Sequence, residues 1–169
     1  MVRAKKTLEV REGKNGKGVY ARVSFDSREY ICRFSGPLFS SAGLPTPYDD
    51  YYDHYVQIAE DIFMGPSGDI DDFFNHSCNP NAALIVSENI VELIAFRDIE
   101  AGEEIVWDYS VTMLNDDWCI PCACGSTNCR GSIREFKYLP VDIQSKYISL
   151  GIVPEYVLRG NGMLAEQKK

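Results

Sequence analysis

No run of this chain comes near the roughly 18 consecutive apolar residues that a membrane-crossing helix needs. Its first ten residues, MVRAKKTLEV, also lack the apolar stretch of a secretory signal. Both absences point to a soluble, reducing compartment, cytoplasmic or nuclear. Clustered positive charge is missing too: 25 acidic residues stand against 17 basic ones, for a net charge of -8. The short lysine runs, Lys5-Lys6 and Lys168-Lys169, sit near the ends. Phosphate recognition needs grouped Lys and Arg, so direct nucleic-acid binding is not expected, and an acidic surface suits a basic protein partner better. There is no internal repeat, and SGPLFSSAGLPTP reads as a loop within one domain because β patterning resumes after it. At 169 residues and 45% hydrophobic, the chain can build a single core.

What is present is mostly β. Residues 7–11, 18–23, 28–34, 55–60, 82–86, 90–96 and 104–107 are rich in β-branched and aromatic side chains and are separated by Gly, Pro, Asn or Asp turns. The turn SEN, from Ser87, makes a hairpin of the two segments beside it. One short helix is expected after Pro140, where Val141, Ile143, Tyr147 and Leu150 recur at helical spacing and Gly151 supplies a stop.

Six cysteines in a reducing compartment suggest metal ligands or buried thiols rather than disulfides. The same argument disposes of Asn75-His76-Ser77 as a glycosylation acceptor. In CIPCACGSTNCRG, Cys122, Cys124 and Cys129 have the spacing C-x-C-x4-C, and Gly125 permits a tight reversal. Four thiolates suit tetrahedral Zn²⁺, which can organise a segment too small for a core of its own. Spacing leaves the fourth ligand open between Cys119, just upstream, and a cysteine from elsewhere in the chain.

The stretch DDFFNHSCNPN crowds Asn75, His76, Cys78, Asn79 and Asn81 together after two phenylalanines. It resembles the Asn-His-Ser-Cys-x-Pro-Asn signature of the SET-domain lysine methyltransferases. AGEEIVWDYS is similar to that family's Gly-Glu-Glu-Leu-x-Phe-Asp-Tyr stretch, CACGSTNCRG to its post-SET zinc segment, and KNGKGVYA to its N-terminal Gly-x-Gly turn. Four motifs in family order run from about residue 7 to 132. The resemblance implies small curved sheets with a pseudoknot and a C-terminal zinc segment: a SET core over 1–115, the zinc segment over 116–132 and a helical tail over 133–169. It also implies a small stand-alone enzyme, since no cysteine-rich region precedes the core.

Carried over residue by residue, the resemblance makes Cys78 the fourth zinc ligand with Cys122, Cys124 and Cys129, leaving Cys32 and Cys119 aside. S-adenosylmethionine would lie against Gly16, Lys17 and Gly18, where missing Cβ atoms let backbone approach a ligand. Asn75 and His76 would contact it largely through backbone groups. Tyr55 aligns with a cofactor-contacting tyrosine, though it also reads as an ordinary strand aromatic, and Phe136 would close over the adenine. Tyr109 matches the active-site phenol, and Trp107 the aromatic beside the lysine channel, which governs how many methyl groups are added. Asn75, Asn79 and Asn81 would satisfy backbone groups in the threaded segment. Glu103 and Glu104 read as fold-supporting.

Two departures stand out. Where the family commonly has Tyr-x-Gly-Glu, this chain has Phe34-Ser35-Gly36-Pro37, so a hydroxyl near the target amine is absent. Where a basic residue often precedes the Asn-His signature, it has Asp72, grouped with Asp69 and Asp71, which reads either as a feature favouring a basic peptide or as a solvated turn. The expected activity is methyl transfer from S-adenosylmethionine to a lysine amine of a basic protein, a histone or another. The alternative is a non-catalytic SET-fold binding module, which Phe34 favours.

Overall fold

The computed structural model describes residues 4–14, 16–44, 54–87, 90–115 and 117–164. A four-residue helix α1 (Ala4–Thr7) leads into β1 (Leu8–Gly13) and β2 (Gly16–Ala21), which form an antiparallel hairpin. Next come β3 (Tyr30–Arg33), β4 (Leu38–Phe39), β5 (Val56–Ala59) and β6 (Ile62–Met64), then β7 (Asn75–His76), β8 (Ala82–Ser87), β9 (Ile90–Ala95) and β10 (Val106–Trp107). The zinc-segment cysteines are bracketed by β11 (Cys119–Pro121) and β12 (Ser132–Arg134), and α2 (Val141–Ser149) and α3 (Glu155–Gly160) close the described chain. Among the described residues, no helix is long and apolar enough to cross a membrane.

The strands pair into small sheets. One sheet has the order β3-β9-β8, with β9 antiparallel to both neighbours, and another has the order β4-β6-β5. In β9 every second side chain, Val91, Leu93 and Ala95, is fully buried, the period-2 signature of a strand with one face on the core. These side chains pack with Leu8, Val19, Ile31, Ile105 and Trp107 in the main core. On the far side of the same sheet, Ala83 joins Phe136, Leu139, Tyr147, Val153 and Val157. The C-terminal helices thus cover the second face of β8.

Of the expected strands, 28–34 begins later than its composition suggests. Arg28 adopts φ 71°, a left-handed conformation that extended pairing cannot use, and β3 starts at Tyr30. The expected 104–107 strand is reduced to two residues, with Glu104 forming an isolated bridge to Tyr20. Glu88 and Asn89 of the SEN turn lie outside the described residues, as do Lys168-Lys169 and the end of the expected SGPLFSSAGLPTP loop. The strands on either side of that turn pair as expected, Ser87 opposite Ile90. The helix after Pro140 is present, and Gly151 beyond it has φ 67°, the conformation that glycine adopts most readily.

Two residues of β7 run parallel to two of β10, Asn75 opposite Val106 and His76 opposite Trp107. Asn81, 2% exposed, holds this crossing together. Its Nδ2 donates to the Glu104 carbonyl at 2.8 Å and its Oδ1 accepts from the Val106 N–H at 2.8 Å. Its backbone N–H donates to the Val106 carbonyl at 3.2 Å. Asn79, expected to share this task, is exposed, and its backbone N–H bonds only locally to Ser77 Oγ. Asn81→Ala strips partners from two partly buried backbone groups, each worth about 1–3 kcal/mol. Urea unfolding should therefore register a loss of roughly 2–5 kcal/mol, whereas Asn79→Ala should change little.

Candidate functional site

Four cysteines meet at the edge of the zinc segment. The sulfurs of Cys78, Cys122, Cys124 and Cys129 all lie within 4.8 Å of one another. The Cys78–Cys122 and Cys122–Cys129 separations are 3.8 and 3.6 Å. A tetrahedral zinc with bonds of about 2.3 Å requires sulfur–sulfur edges of about 3.8 Å, so the donor set fits that ion in type, number and spacing. Burial pushes the Cys78 and Cys122 thiols up. At Cys124 burial acts the same way, but the Ser126 hydroxyl and backbone bonds outweigh it and bring the thiol to about 6. Cys78 is further fixed by Asn128 Nδ2 on its carbonyl at 3.0 Å and by the Arg130 N–H on its sulfur at 3.4 Å. Cys32 is buried in the main core and Cys119 is exposed on β11, both outside the cluster.

Beside the cluster lies a cleft of about 220 Å³, lined by Asn75, His76 and Tyr109 on one side and by Ile120, Cys122, Ala123 and Ile133 on the other. The Gly16-Lys17-Gly18 turn reaches it through Asn75, whose Nδ2 donates to the Lys17 carbonyl at 3.0 Å and to Glu104 Oε1 at 2.7 Å. Gly18 cannot be replaced cheaply, because a Cβ there would run into the Glu104 carboxylate and stand 2.9 Å from Asn75 Nδ2. Glu104 thus braces the turn and Asn75 together. His76 is neutral: burial, helped by Arg130, lowers its pKa to about 4 against the pull of Asp108. Its Nδ1 accepts from the Tyr109 N–H at 3.2 Å, which leaves the ring proton on Nε2, 3.4 Å from Cys78 Sγ. One imidazole therefore connects the thiolate cluster to Tyr109.

Two residues expected to contact a cofactor lie elsewhere. Tyr55 packs with Phe63, Met113 and Trp118 and meets Phe39 edge-on at 5.7 Å. Phe136 is fully buried with Val111, Leu139 and Tyr147, where the docked tail consumes its surface. Neither lines the cleft.

A second cavity, about 20 Å³, is walled by Phe34, Phe74, Trp107 and Tyr109. Phe34 stacks on Phe74 at 5.5 Å and meets Trp107 edge-on at 6.5 Å, while Trp107 and Tyr109 are 4.7 Å apart. The Tyr109 hydroxyl donates to the Phe74 carbonyl at 2.6 Å, which fixes the phenol and leaves its oxygen lone pairs able to accept. Tyr109 is the residue shared by the linings of the cleft and of this cavity.

Sequence reasoning missed Asp108. This buried carboxylate accepts from Arg130 Nη2 at 2.7 Å, from the Ser110 N–H at 3.2 Å and from the Tyr147 hydroxyl at 3.2 Å. It joins the zinc segment, the Tyr109 turn and α2 in one network. Burial, reinforced by Asp108, pushes the Tyr147 phenol well up, so it remains a donor. The available signal was an aspartate between two aromatics, Trp107-Asp108-Tyr109, since a charge in so apolar a setting needs a buried partner.

The SET domain family model matches residues 16–110. The chain is 30% identical over 157 residues to a probable histone-lysine N-methyltransferase, set-23, of Caenorhabditis briggsae, covering 82% of this chain and 63% of that protein. It is 29% identical to an H3 lysine-36 specific histone-lysine N-methyltransferase of Aspergillus oryzae over 73% of this chain and 14% of the relative. The chain therefore spans less than two thirds of the length of these relatives. Among solved structures, KRYPTONITE in complex with mCHG DNA and SAH superposes with a TM-score of 0.62 at 22% identity, over 75% of this chain and 28% of that one.

Proposed function

Since the chain belongs to the SET-domain family, we propose that it transfers a methyl group from S-adenosylmethionine to the side-chain amine of a lysine in a basic protein. The names of its relatives make a histone the first substrate to test, and hence the nucleus the first compartment in which to look for the protein. The observation that carries the reading is Tyr109, which borders both the cleft and the aromatic cavity. Methyl transfer is an in-line displacement, so donor and acceptor must approach from opposite sides of one point. A cofactor cleft and an amine channel that meet at one phenol supply that arrangement. In this assignment Asn75, His76 and the Gly16-Lys17-Gly18 turn hold the cofactor, which supplies the electrophilic methyl. Phe34, Phe74 and Trp107 strip water from the amine, lowering its pKa toward the neutral, nucleophilic form. Cys78, Cys122, Cys124 and Cys129 hold Zn²⁺, whose role is to fix one wall of the cleft. The core 1–115, zinc segment 116–132 and tail 133–169 then act as one unit. Incubation with labelled cofactor and purified histones tests the reading directly. Cofactor binding without transfer to histones or other basic proteins would favour the non-catalytic binding module, to which Phe34 in place of a phenol points.

The same cavity limits the product. A volume of about 20 Å³ holds roughly one water-sized group, enough for an ammonium but not for one enlarged by further methyls. Trp107, almost fully buried, occupies the wall where smaller aromatics would leave more room. The expected product is monomethyl-lysine, with Trp107→Phe shifting it toward higher states. Mass spectrometry after prolonged incubation checks this, and abundant trimethyl-lysine from the wild type would reject the crowding argument.

A further inference from the structure

The aromatic cavity has a wall that the family resemblance does not supply. Asp71 lines it together with Phe34, Phe74, Trp107 and Tyr109, the other polar lining residues being Ser35, His54 and Asp72. The side chain belongs to a 3₁₀ turn (Ile70–Phe73) whose start is capped by Asp69, and the residue is 8% exposed. Its neighbours in the acidic group are spent differently. Asp69 accepts from the Ile70 N–H, and half-buried Asp72 accepts from the Ser67 N–H at 2.8 Å and the Gly68 N–H at 2.7 Å, tying down the loop before the turn. Asp71 accepts one bond on each oxygen, from the Ser35 N–H at 2.8 Å and the Ser67 hydroxyl at 2.6 Å. Among the described residues no lysine or arginine forms an ion pair with it, and the basic side chain that shares the cavity lining is His54.

A buried carboxylate without a cation is expensive to hold unless a cation arrives. With about four acceptor sites on a carboxylate and two in use, Asp71 retains the capacity to bind one. The surrounding rings add their own attraction for a positive charge through their quadrupoles. The Ser35 bond also ties this carboxylate to the segment where Phe34 replaces the expected tyrosine, so the cavity exchanges a neutral hydroxyl for a full negative charge. We propose that Asp71 is the counter-ion of this cavity, selecting a primary alkylammonium, the protonated end of a lysine side chain, over neutral groups of the same shape. The inference deepens the methyltransferase reading and rests on it for its biological meaning. Asp71 would set substrate capture of the charged amine, while the cofactor's positive sulfonium favours loss of the amine's proton to solvent and Tyr109 orients the neutral amine for attack.

The test uses n-butylammonium as a stand-in for the lysine end and 1-butanol as its neutral isostere, followed by NMR at the Trp107 indole N–H of the full chain. Wild-type protein should bind n-butylammonium roughly tenfold or more tighter than 1-butanol, the scale of a hydrogen bond to a charged group. Asp71→Asn can keep both existing contacts, its oxygen accepting from Ser35 and its amide donating to Ser67, so the cavity should survive. It should abolish the preference while leaving 1-butanol affinity unchanged. No preference in the wild type, or an equal preference in Asp71→Asn, would overturn the proposal. The readout does not depend on transfer, so a selective cavity in a protein that methylates nothing would reject the methyltransferase reading and keep this one.

Discussion

Cys78→Ser should lose the bound metal, while Cys119→Ser should keep about one zinc per chain, the stoichiometry of a four-thiolate site. The two cysteines differ in place, not in chemistry. Cys119 is nearer in sequence to the C-x-C-x4-C run, yet it stands exposed on β11, whereas Cys78 arrives from the β7 crossing with its sulfur 3.8 Å from that of Cys122. Ligation by Cys78 would therefore staple the zinc segment to the β7–β10 pair. Structural zinc contributes an apparent binding energy on the order of 10 kcal/mol or more, far above what the β11–β12 pair can supply. Removing the ion should release Ile120, Ala123 and Ile133, one whole wall of the cleft. S-adenosylmethionine affinity should then fall roughly tenfold or more on chelation or in Cys78→Ser. Metal analysis and calorimetry check both halves, and metal loss in Cys119→Ser with retention in Cys78→Ser would reverse the ligand assignment.

Legibility of this fold in its sequence follows the length of its elements. Segments of four to six residues with one buried face, such as Ile90–Ala95, announce themselves by alternation, and so does the helix after Pro140. The two-residue pair β7 and β10 has no period to read, although it aligns Asn75 and His76 with Val106 and Trp107. β11 and β12 are only three residues each, and β11 contains Pro121, which argues against a strand. At the site, residues fixed by a motif were legible and residues fixed by three-dimensional company were not. Asn75 was expected to meet the cofactor through its backbone and to satisfy backbone groups with its side chain; its Nδ2 does the second at the Lys17 carbonyl, while its bond to Glu104 had no local signal. Asp71 read as one of three acidic turn residues, because nothing local distinguishes a carboxylate that will be buried from two that stabilise a loop. The same holds for Asp108, whose partners Arg130 and Tyr147 lie 22 and 39 residues away.

The substitution expected to damage turnover most is Tyr109→Phe. The phenol is held from both ends: its backbone N–H donates to His76 Nδ1 and its hydroxyl donates to the Phe74 carbonyl at 2.6 Å. With its proton committed, the oxygen can only accept, so it can orient an amine N–H or the polarised methyl hydrogens of the donor but cannot itself remove the amine's proton. Among the described residues that line the cavity Tyr109 is the one phenol, and Asp71 is a carboxylate suited to the charged amine rather than to the methyl group. Of the polar lining residues Tyr109 is the one that also borders the cleft, so alignment of donor and acceptor falls on its hydroxyl. Its deletion should lower kcat by about two orders of magnitude or more with KM for the cofactor nearly unchanged, the pattern of an interaction realised only in the transition state. Phe also fills the same space, so the contact with Trp107 at 4.7 Å and the fold should persist. Single-turnover kinetics with saturating cofactor measure this. Wild-type-like turnover in Tyr109→Phe would remove the phenol from the mechanism and leave desolvation by the aromatic walls as the source of rate.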